Sequence, residues 1–344
     1  MSAAPLPERF ATVDELEDFL SQPTPELVAD LAEVRGDILV LGVAGKMGPT
    51  LARMAKRAAP GKRVVGVARF SDPVVRAALE KEGVETLACD LLDRKAVEVL
   101  PKLANVVFMA AMKFGATGNP ALTWAMNVHV PAIVAEAFAA SRIVAFSTGC
   151  VYPFVAVDGG GATEDVAPIP PPGDYANSCV GRERMFEHFS ARLGTPGRIV
   201  RLNYAIDMRY GVLHDIAAKV RDGAPIDLNM GHVNVIWQGD ANAVALRCLA
   251  HVTSPTTPLN VTGPGTLRVR WLAEELGRRL GRAPKLTGSE GSTGWLNNAS
   301  RMMREFGAPP VPIDRMLDWT ADWLARGMVS HDKPTRYEVR DGRY

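Results

Sequence analysis

Cysteine is scarce and scattered. The four thiols, Cys89, Cys150, Cys179 and Cys248, have no metal-ligand or redox-pair spacing, which argues against a disulfide framework and fits a reducing compartment. An excess of one charge is also missing. Lysine and arginine number 39 against 38 aspartate and glutamate, a net charge of +1, so nothing points to nucleic acid or a membrane surface as partner. No apolar run reaches the ~18–20 residues that cross a bilayer. The acidic N-terminus lacks the basic-then-apolar pattern of a leader. HExxH, paired cysteines and carboxylate clusters are absent, and His129, His188 and His251 stand singly in helical patterns. The expectation is a soluble cytoplasmic protein with no metal, nucleic-acid or membrane partner.

What is present is apolar residues in quantity. The 344 residues are 47% hydrophobic and 22% charged, enough for a large core in two domains or one elaborated domain. The stretch Asp37 to Thr50, DILVLGVAGKMGPT, reads as strand, tight turn and helix. Gly42, Gly45 and Gly48 suit a turn with unusual backbone angles that lets N–H groups approach a ligand. The helix opened by Pro49 points its positive end at the same spot, where a diphosphate would sit.

From there strands and helices alternate. Strands are predicted at 38–43, 63–68, 84–88, 105–110, 142–147 and 198–202, making a six-stranded core. Helices are predicted at 49–59, 72–82, 93–100, 120–140 and 175–193. This order implies an α/β fold, a Rossmann-like doubly wound parallel sheet, with ligands beyond the carboxyl ends of the strands. Gly42, Asp90, Ala110 and Ser147 lie at such ends. Residues 1–35 read as a helical extension, with a capping box at Thr12–Glu15 and a cap at Thr24 before Pro25. Residues 36–205 with 233–262 are assigned to dinucleotide binding, and 206–232 with 263–327 to a smaller substrate lobe. In the less regular part, helices near 212–222, 240–251, 269–281, 297–306 and 313–326 and strands near 233–237 and 258–262 are expected. The long loop 148–174 reads as a lid or rim, and the tail from Met328 to Tyr344 as frayed or draped over a neighbour.

Strand 63–68 ends in Arg69 with no acid to meet a ribose 2′-hydroxyl. A guanidinium there suits a 2′-phosphate, which favours NADP over NAD.

Three segments line up with the glycine turn: Phe108-Met-Ala-Ala-Met-Lys113, Phe146-Ser-Thr-Gly-Cys-Val-Tyr152 and Tyr175-Ala-Asn-Ser-Cys179. With Arg201-Leu-Asn-Tyr204 they resemble the extended short-chain dehydrogenase/reductases, the NAD(P)-dependent sugar epimerases and dehydratases, over about residues 36–326. The resemblance implies that Gly42, Gly45, Lys46, Met47, Gly48, Asp90, Leu91, Ala110, Ala111, Lys113, Asn127, Ser147, Tyr175 and Asn203 face the cofactor, with Arg69 beside them. It makes Tyr175 the acid/base and Thr148 the hydroxyl that orients the substrate oxygen. It also implies a homodimer and a sugar-like substrate.

Moving a hydride to or from a carbinol carbon also moves a proton on its oxygen. Bringing a phenol from a pKa of ~10 to neutrality takes roughly 4 kcal/mol, about what one cation at ~4 Å supplies at an effective dielectric near 20. In the family that cation is a lysine four residues after the tyrosine; here the position holds Cys179. Three readings follow. Arg182, which shares a helix face with Tyr175 and Cys179, replaces the lysine; or Lys113 enters from the facing strand end; or the protein holds a dinucleotide without turnover. A second departure is Val233, which stands where nucleotide-sugar members carry an arginine for the diphosphate, although Arg209, Arg268 or Arg270 could replace it. This favours a free sugar, sugar acid or related polyol, with Thr148, Cys150, Tyr204, Arg209, Asn234, Trp237 and Lys113 as candidate contacts.

Overall fold

The computed structural model describes residues 6–113 and 118–342; Met1 and Tyr344, at the ends of the expected extension and tail, lie outside them. The chain begins with α1 (Val13–Leu20) and α2 (Pro25–Glu33). Thr12 accepts from Glu15 N at 3.1 Å while Ala11 N donates to the Glu15 carboxylate at 2.7 Å. Thr24 caps α2 by accepting from Leu27 N at 3.2 Å. Both helices turn leucines inward: Leu16, Leu20, Leu27 and Leu31 are fully buried.

The alternating part follows as β1 (Ile38–Leu41), α3 (Gly48–Ala58), β2 (Val64–Ala68), α4 (Pro73–Lys81), β3 (Glu85–Ala88), α5 (Arg94–Glu98) and β4 (Asn105–Phe108). Then come α6 (Pro120–Trp124), a π turn (Ala125–His129), α7 (Val130–Ala137), β5 (Arg142–Thr148), β6 (Val155–Ala156), α8 (Asp174–Leu193) and β7 (Gly197–Leu202). The remainder comprises β8 (Ala205–Ile206), α9 (Val212–Asp222), β9 (Pro225–Asp227), β10 (His232–Val233), β11 (Ile236–Trp237), α10 (Gln238–Arg247) and β12 (Thr257–Val261). It closes with β13 (Leu267–Arg268), α11 (Val269–Leu280), β14 (Lys285–Thr287), β15 (Thr293–Gly294), α12 (Ser300–Phe306) and α13 (Ile313–Ala325).

The central sheet has seven strands, in the order β12-β7-β5-β4-β1-β2-β3, all parallel. The expected core of six gains β12, which adds beside β7 with Thr257 opposite Arg198. β1 reads Ile-Leu-Val-Leu and is buried along its whole length, because helices cover both faces of a parallel sheet. A second apolar cluster gathers α9, α11 and α13 around residues such as Leu213, Ile216, Leu272 and Leu317.

Three expectations need correction. The single helix 120–140 is broken by the π turn, where Pro131 lacks the N–H that would continue the α pattern and the buried Asn127 turns outward to other elements. The loop 148–174 is not free, since β6 pairs antiparallel with β15 and Ala162 bridges Asn297. The tail, as far as Gly342, is tied to its own chain: Thr335 bonds Asp215, and Tyr337 is 1% exposed.

Trp237 is likewise a core residue and not a substrate contact. Its ring lies 5.2 Å from that of Trp319 and 5.8 Å from that of Phe19, and it is 1% exposed. This cluster fastens α1 to α13 through β11. Trp237→Ala is expected to lower the unfolding free energy by about 3–5 kcal/mol in urea titration. A loss below ~1 kcal/mol would show that the cluster is dispensable.

Candidate active site

The turn after β1 brings the first ligand-binding groups into place. Gly42 has φ +87°, and a Cβ there would come within 2.6 Å of Ala110 N, so the ends of β1 and β4 touch. A Cβ on Gly48 would overlap the Val43 carbonyl, which holds the start of α3 tight under the turn. Met47, at the cap of α3, offers no side-chain bond to the first N–H groups. The result is a glycine cradle facing an uncapped helix N-terminus, the arrangement that suits a diphosphate. At the end of β3, Asp90 is exposed and Oδ1 accepts from Leu92 N at 3.0 Å, while Leu91 packs inward. Ala111 is exposed beside Ala110. Arg69 is exposed at the end of β2 and makes no ion pair among the described residues. These residues fit a dinucleotide.

Tyr175 lies in the first turn of α8, beyond the end of β5, and is 8% exposed. Thr148, the last residue of β5, hydrogen-bonds its side chain. The Lys113 ammonium lies 6.0 Å from the centre of the Tyr175 ring. Burial pushes the Tyr175 phenol well above its ordinary value; Cys179 and Cys150 act in the same direction, and Arg182 and the Thr148 bond oppose them. Cys179 is fully buried, and burial raises its thiol to about 11. It is a neutral group at working pH.

Arg182 stands one turn further along α8. Long side chains on a helix run back over the preceding turn, so its guanidinium reaches toward Cys179. Nη1 donates to Phe146 O at 2.9 Å and Nη2 to Asn127 Oδ1 at 2.7 Å; Nε has no partner. The side chain is buried, at 3% exposure, and makes no ion pair among the described residues.

Several expected contacts are turned inward. Asn127 accepts from Met112 N at 2.9 Å and donates to Met112 O at 3.0 Å and Ser178 Oγ at 3.0 Å, so it fixes the segment leading to Lys113. Ser147 Oγ donates to Glu183 at 2.5 Å. Asn203 donates to Trp295 O at 3.2 Å. Asn234 donates to Gly265 O and accepts from Asn297 N, at 2.9 and 2.8 Å. Arg209 is clamped by Asp207 and Glu17, with ion pairs of 2.9 and 2.8 Å. Arg268 and Arg270 both pair with Glu290. None of these arginines is left without a carboxylate. Cys150 is buried behind Thr148, whose Oγ1 accepts from Cys150 N at 3.2 Å. Tyr204 is half-buried against the second apolar cluster, with φ +43°.

Sequence reasoning missed the network under the site. Arg201 meets Glu183 at 2.7 Å and donates to Tyr152 Oη at 2.7 Å, which in turn donates to Asn260 at 2.9 Å. The available signal was Glu183, a carboxylate on the inward face of α8 eight residues after Tyr175.

The sequence places Lys46 only in the glycine turn. Its Nζ lies 4.0 Å from the centre of the Tyr210 ring and 3.5 Å from Ala205 O. Burial pulls its ammonium down to about 7; Asp207 opposes the shift, while Arg209 and Lys113 add to it.

A family model described as the NAD dependent epimerase/dehydratase family matches residues 38–221. No curated protein matches the chain by sequence. Among solved structures, UDP-glucose 4-epimerase of Thermus thermophilus with NAD is similar at 21% identity and TM-score 0.68, over 85% of this chain and 100% of that one. The dTDP-glucose 4,6-dehydratase DesIV of Streptomyces venezuelae, with NAD and TYD bound, is similar at 19% identity and TM-score 0.72, over 84% and 97%. UDP-glucuronic acid 4-epimerase of Bacillus cereus, with UDP-glucuronic acid and NAD, gives 17% identity and TM-score 0.70, over 84% and 99%.

Lys46 generates a titration test. Its folded-state pKa of about 7 lies below the ordinary lysine value, so above pH 7 the folded chain releases this proton. A diphosphate bound at the glycine turn within reach of this ammonium would favour the charged form. Dinucleotide binding at pH 8 is expected to take up close to one proton (about 0.5–1), read by calorimetry in buffers of different ionisation enthalpy. Lys46→Met is expected to abolish the uptake. Buffer-independent heats for the unaltered protein would contradict the assignment.

Proposed function

The chain belongs to the NAD dependent epimerase/dehydratase family, and from that premise we propose that it oxidises or epimerises a sugar-like alcohol, with Tyr175 as acid/base and Arg182 as the cation that favours its phenolate. The observation that carries this reading is the buried guanidinium of Arg182, held among the described residues only by neutral acceptors and acting to lower the Tyr175 phenol. A buried charge without a counter-ion is costly, and an anion formed next to it relieves part of that cost.

The glycine turn, Asp90, Leu91 and the Ala110–Lys113 segment would hold the dinucleotide. When bound, its nicotinamide ring takes up a hydride and can return it. The chain's own residues handle the proton. Thr148 hydrogen-bonds the substrate oxygen and fixes it beside the Tyr175 phenol. Tyr175 accepts the hydroxyl proton as the carbinol carbon is oxidised and gives it back on return. Arg182 stabilises the phenolate, and the Lys113 ammonium, 6.0 Å from the ring centre, adds positive charge. The raised phenol favours the alternative, a protein that holds a dinucleotide without turnover; the variants below decide between the two.

The finer parts of the reading rest on single features. Arg69, exposed and without an acidic partner among the described residues, supports NADP over NAD. Val233 is fully buried against β13, and Arg209, Arg268 and Arg270 are already paired, which supports a free sugar, sugar acid or related polyol. A cytoplasmic homodimer completes the reading; Leu122 and Trp124 on α6, 37% and 41% exposed, are apolar surface available to a second copy.

Tyr175→Phe and Arg182→Ala are each expected to lower turnover by roughly 10²–10⁴-fold while dinucleotide affinity changes only a few fold. A nicotinamide absorbance assay with a sugar panel and fluorescence titration of the cofactor measure the two quantities. Unchanged turnover in Arg182→Ala would remove that residue's role. Arg69→Ala is expected to shift the NADPH/NADH affinity ratio toward NADH by about 10–100-fold. An unchanged ratio would remove the NADP preference.

A further inference from the structure

The structural neighbours are covered over nearly their whole length, yet account for about 85% of this chain. The remaining share is the size of the helical extension and the tail together. The tail follows a defined path. Trp323 Nε1 donates to Val329 O at 2.9 Å at its start. Thr335 donates to Asp215 on α9 through both N and Oγ1, at 2.8 and 2.5 Å. Glu338 pairs with Lys219, also on α9, at 3.1 Å. Arg340 then reaches β15, donating to Thr293 O at 2.8 Å and Thr293 Oγ1 at 2.6 Å, with its guanidinium 4.2 Å from the Phe154 ring centre. Gly342 ends against Pro172 and Gly173, where a Cβ on either glycine would clash with the other strand of chain. Gly173 is the cap of α8, two residues before Tyr175.

The tail therefore crosses from α9 to the start of α8, ending two residues from Tyr175. Its innermost side chain is Tyr337, 1% exposed, whose hydroxyl has no partner. Tyr337 packs in the same apolar cluster as Tyr204, and Gly342 abuts Gly173, the cap that precedes Tyr175. The strap thus touches both Tyr204's cluster and the start of α8.

We infer that this C-terminal strap, residues 331–342, is the substrate-size filter of the site: lying between α9 and the start of α8 beside Tyr175, it admits a monosaccharide-sized polyol and excludes a sugar carrying a nucleoside diphosphate. The inference rests on the reading of Tyr175 as the reacting centre. Specificity then comes from a volume already occupied, and not only from the absence of an arginine at Val233.

The test is calorimetric and independent of turnover. UDP-glucose is titrated, with NAD present, into the full-length protein, a variant ending at Ser330, and the double variant E338A/R340A. The double variant loosens the strap while leaving Tyr337 in place, in case the truncation fails to fold; circular dichroism reports folding. The full-length protein is expected to give no binding heat. A folded variant is expected to bind UDP-glucose at least about tenfold more tightly than the full-length limit. Binding by the full-length protein would overturn the inference. So would the absence of heat in the folded variants, because the strap would then not be what excludes the nucleotide. Failure of the Tyr175 reading shows separately, as unchanged turnover in Tyr175→Phe.

Discussion

The guanidinium of Arg182 joins three elements at one buried point. It bonds the Phe146 carbonyl near the end of β5 and the Asn127 amide in the π turn, and it is carried by α8 itself. Asn127 in turn grips Met112 through both its amide atoms, which fixes the approach to Lys113. Tyr175, Thr148 and Lys113 are therefore set relative to one another through a single cation. Because that cation has only neutral acceptors, its charge is available to whatever forms beside it. Cys179, fully buried and uncharged, stands between Tyr175 and Arg182 on α8.

Around this point the protein separates two tasks. Ionic pairs that need no ligand lie deeper or to the side: Glu183 with Arg201, and Asp207 with Arg209 and Glu17. They are mutually compensated, so they fix geometry without offering charge to a substrate. Lys46, Tyr175 and Tyr204 are titratable groups shifted by burial, and the Lys113 ammonium lies 6.0 Å from the Tyr175 ring centre. Glu17 comes from the N-terminal extension and Glu338 from the C-terminal strap, so both added segments reach the neighbourhood of the site.

Much of the fold could be read from sequence because it follows from local rules. The apolar run Ile38–Leu41, the spacing of Gly42, Gly45 and Gly48, and the caps at Thr12 and Thr24 each act over a few residues. The position of Tyr175, Thr148 and Lys113 near one another followed from strand ends in a parallel sheet. What sequence could not convey was the direction of side chains with distant partners. Arg209 reads as available in sequence, yet Glu17, 192 positions away, holds it. Trp237 reads as a candidate substrate contact or a core residue, and it is packed between Phe19 and Trp319. Asn234 serves the backbone of Gly265 and Asn297. The strap has no periodicity, so nothing local reveals that Tyr337 is buried.

The balance at Tyr175 decides the account. Burial raises the phenol, and Arg182 works against it. The most direct measurement is the pH dependence of the hydride-transfer rate, followed at the nicotinamide absorbance, in the unaltered protein and in Arg182→Gln. The account predicts that the limb reporting Tyr175 ionisation moves to higher pH in the variant by about one unit or more. Superimposable profiles would show that this guanidinium does not govern the phenol.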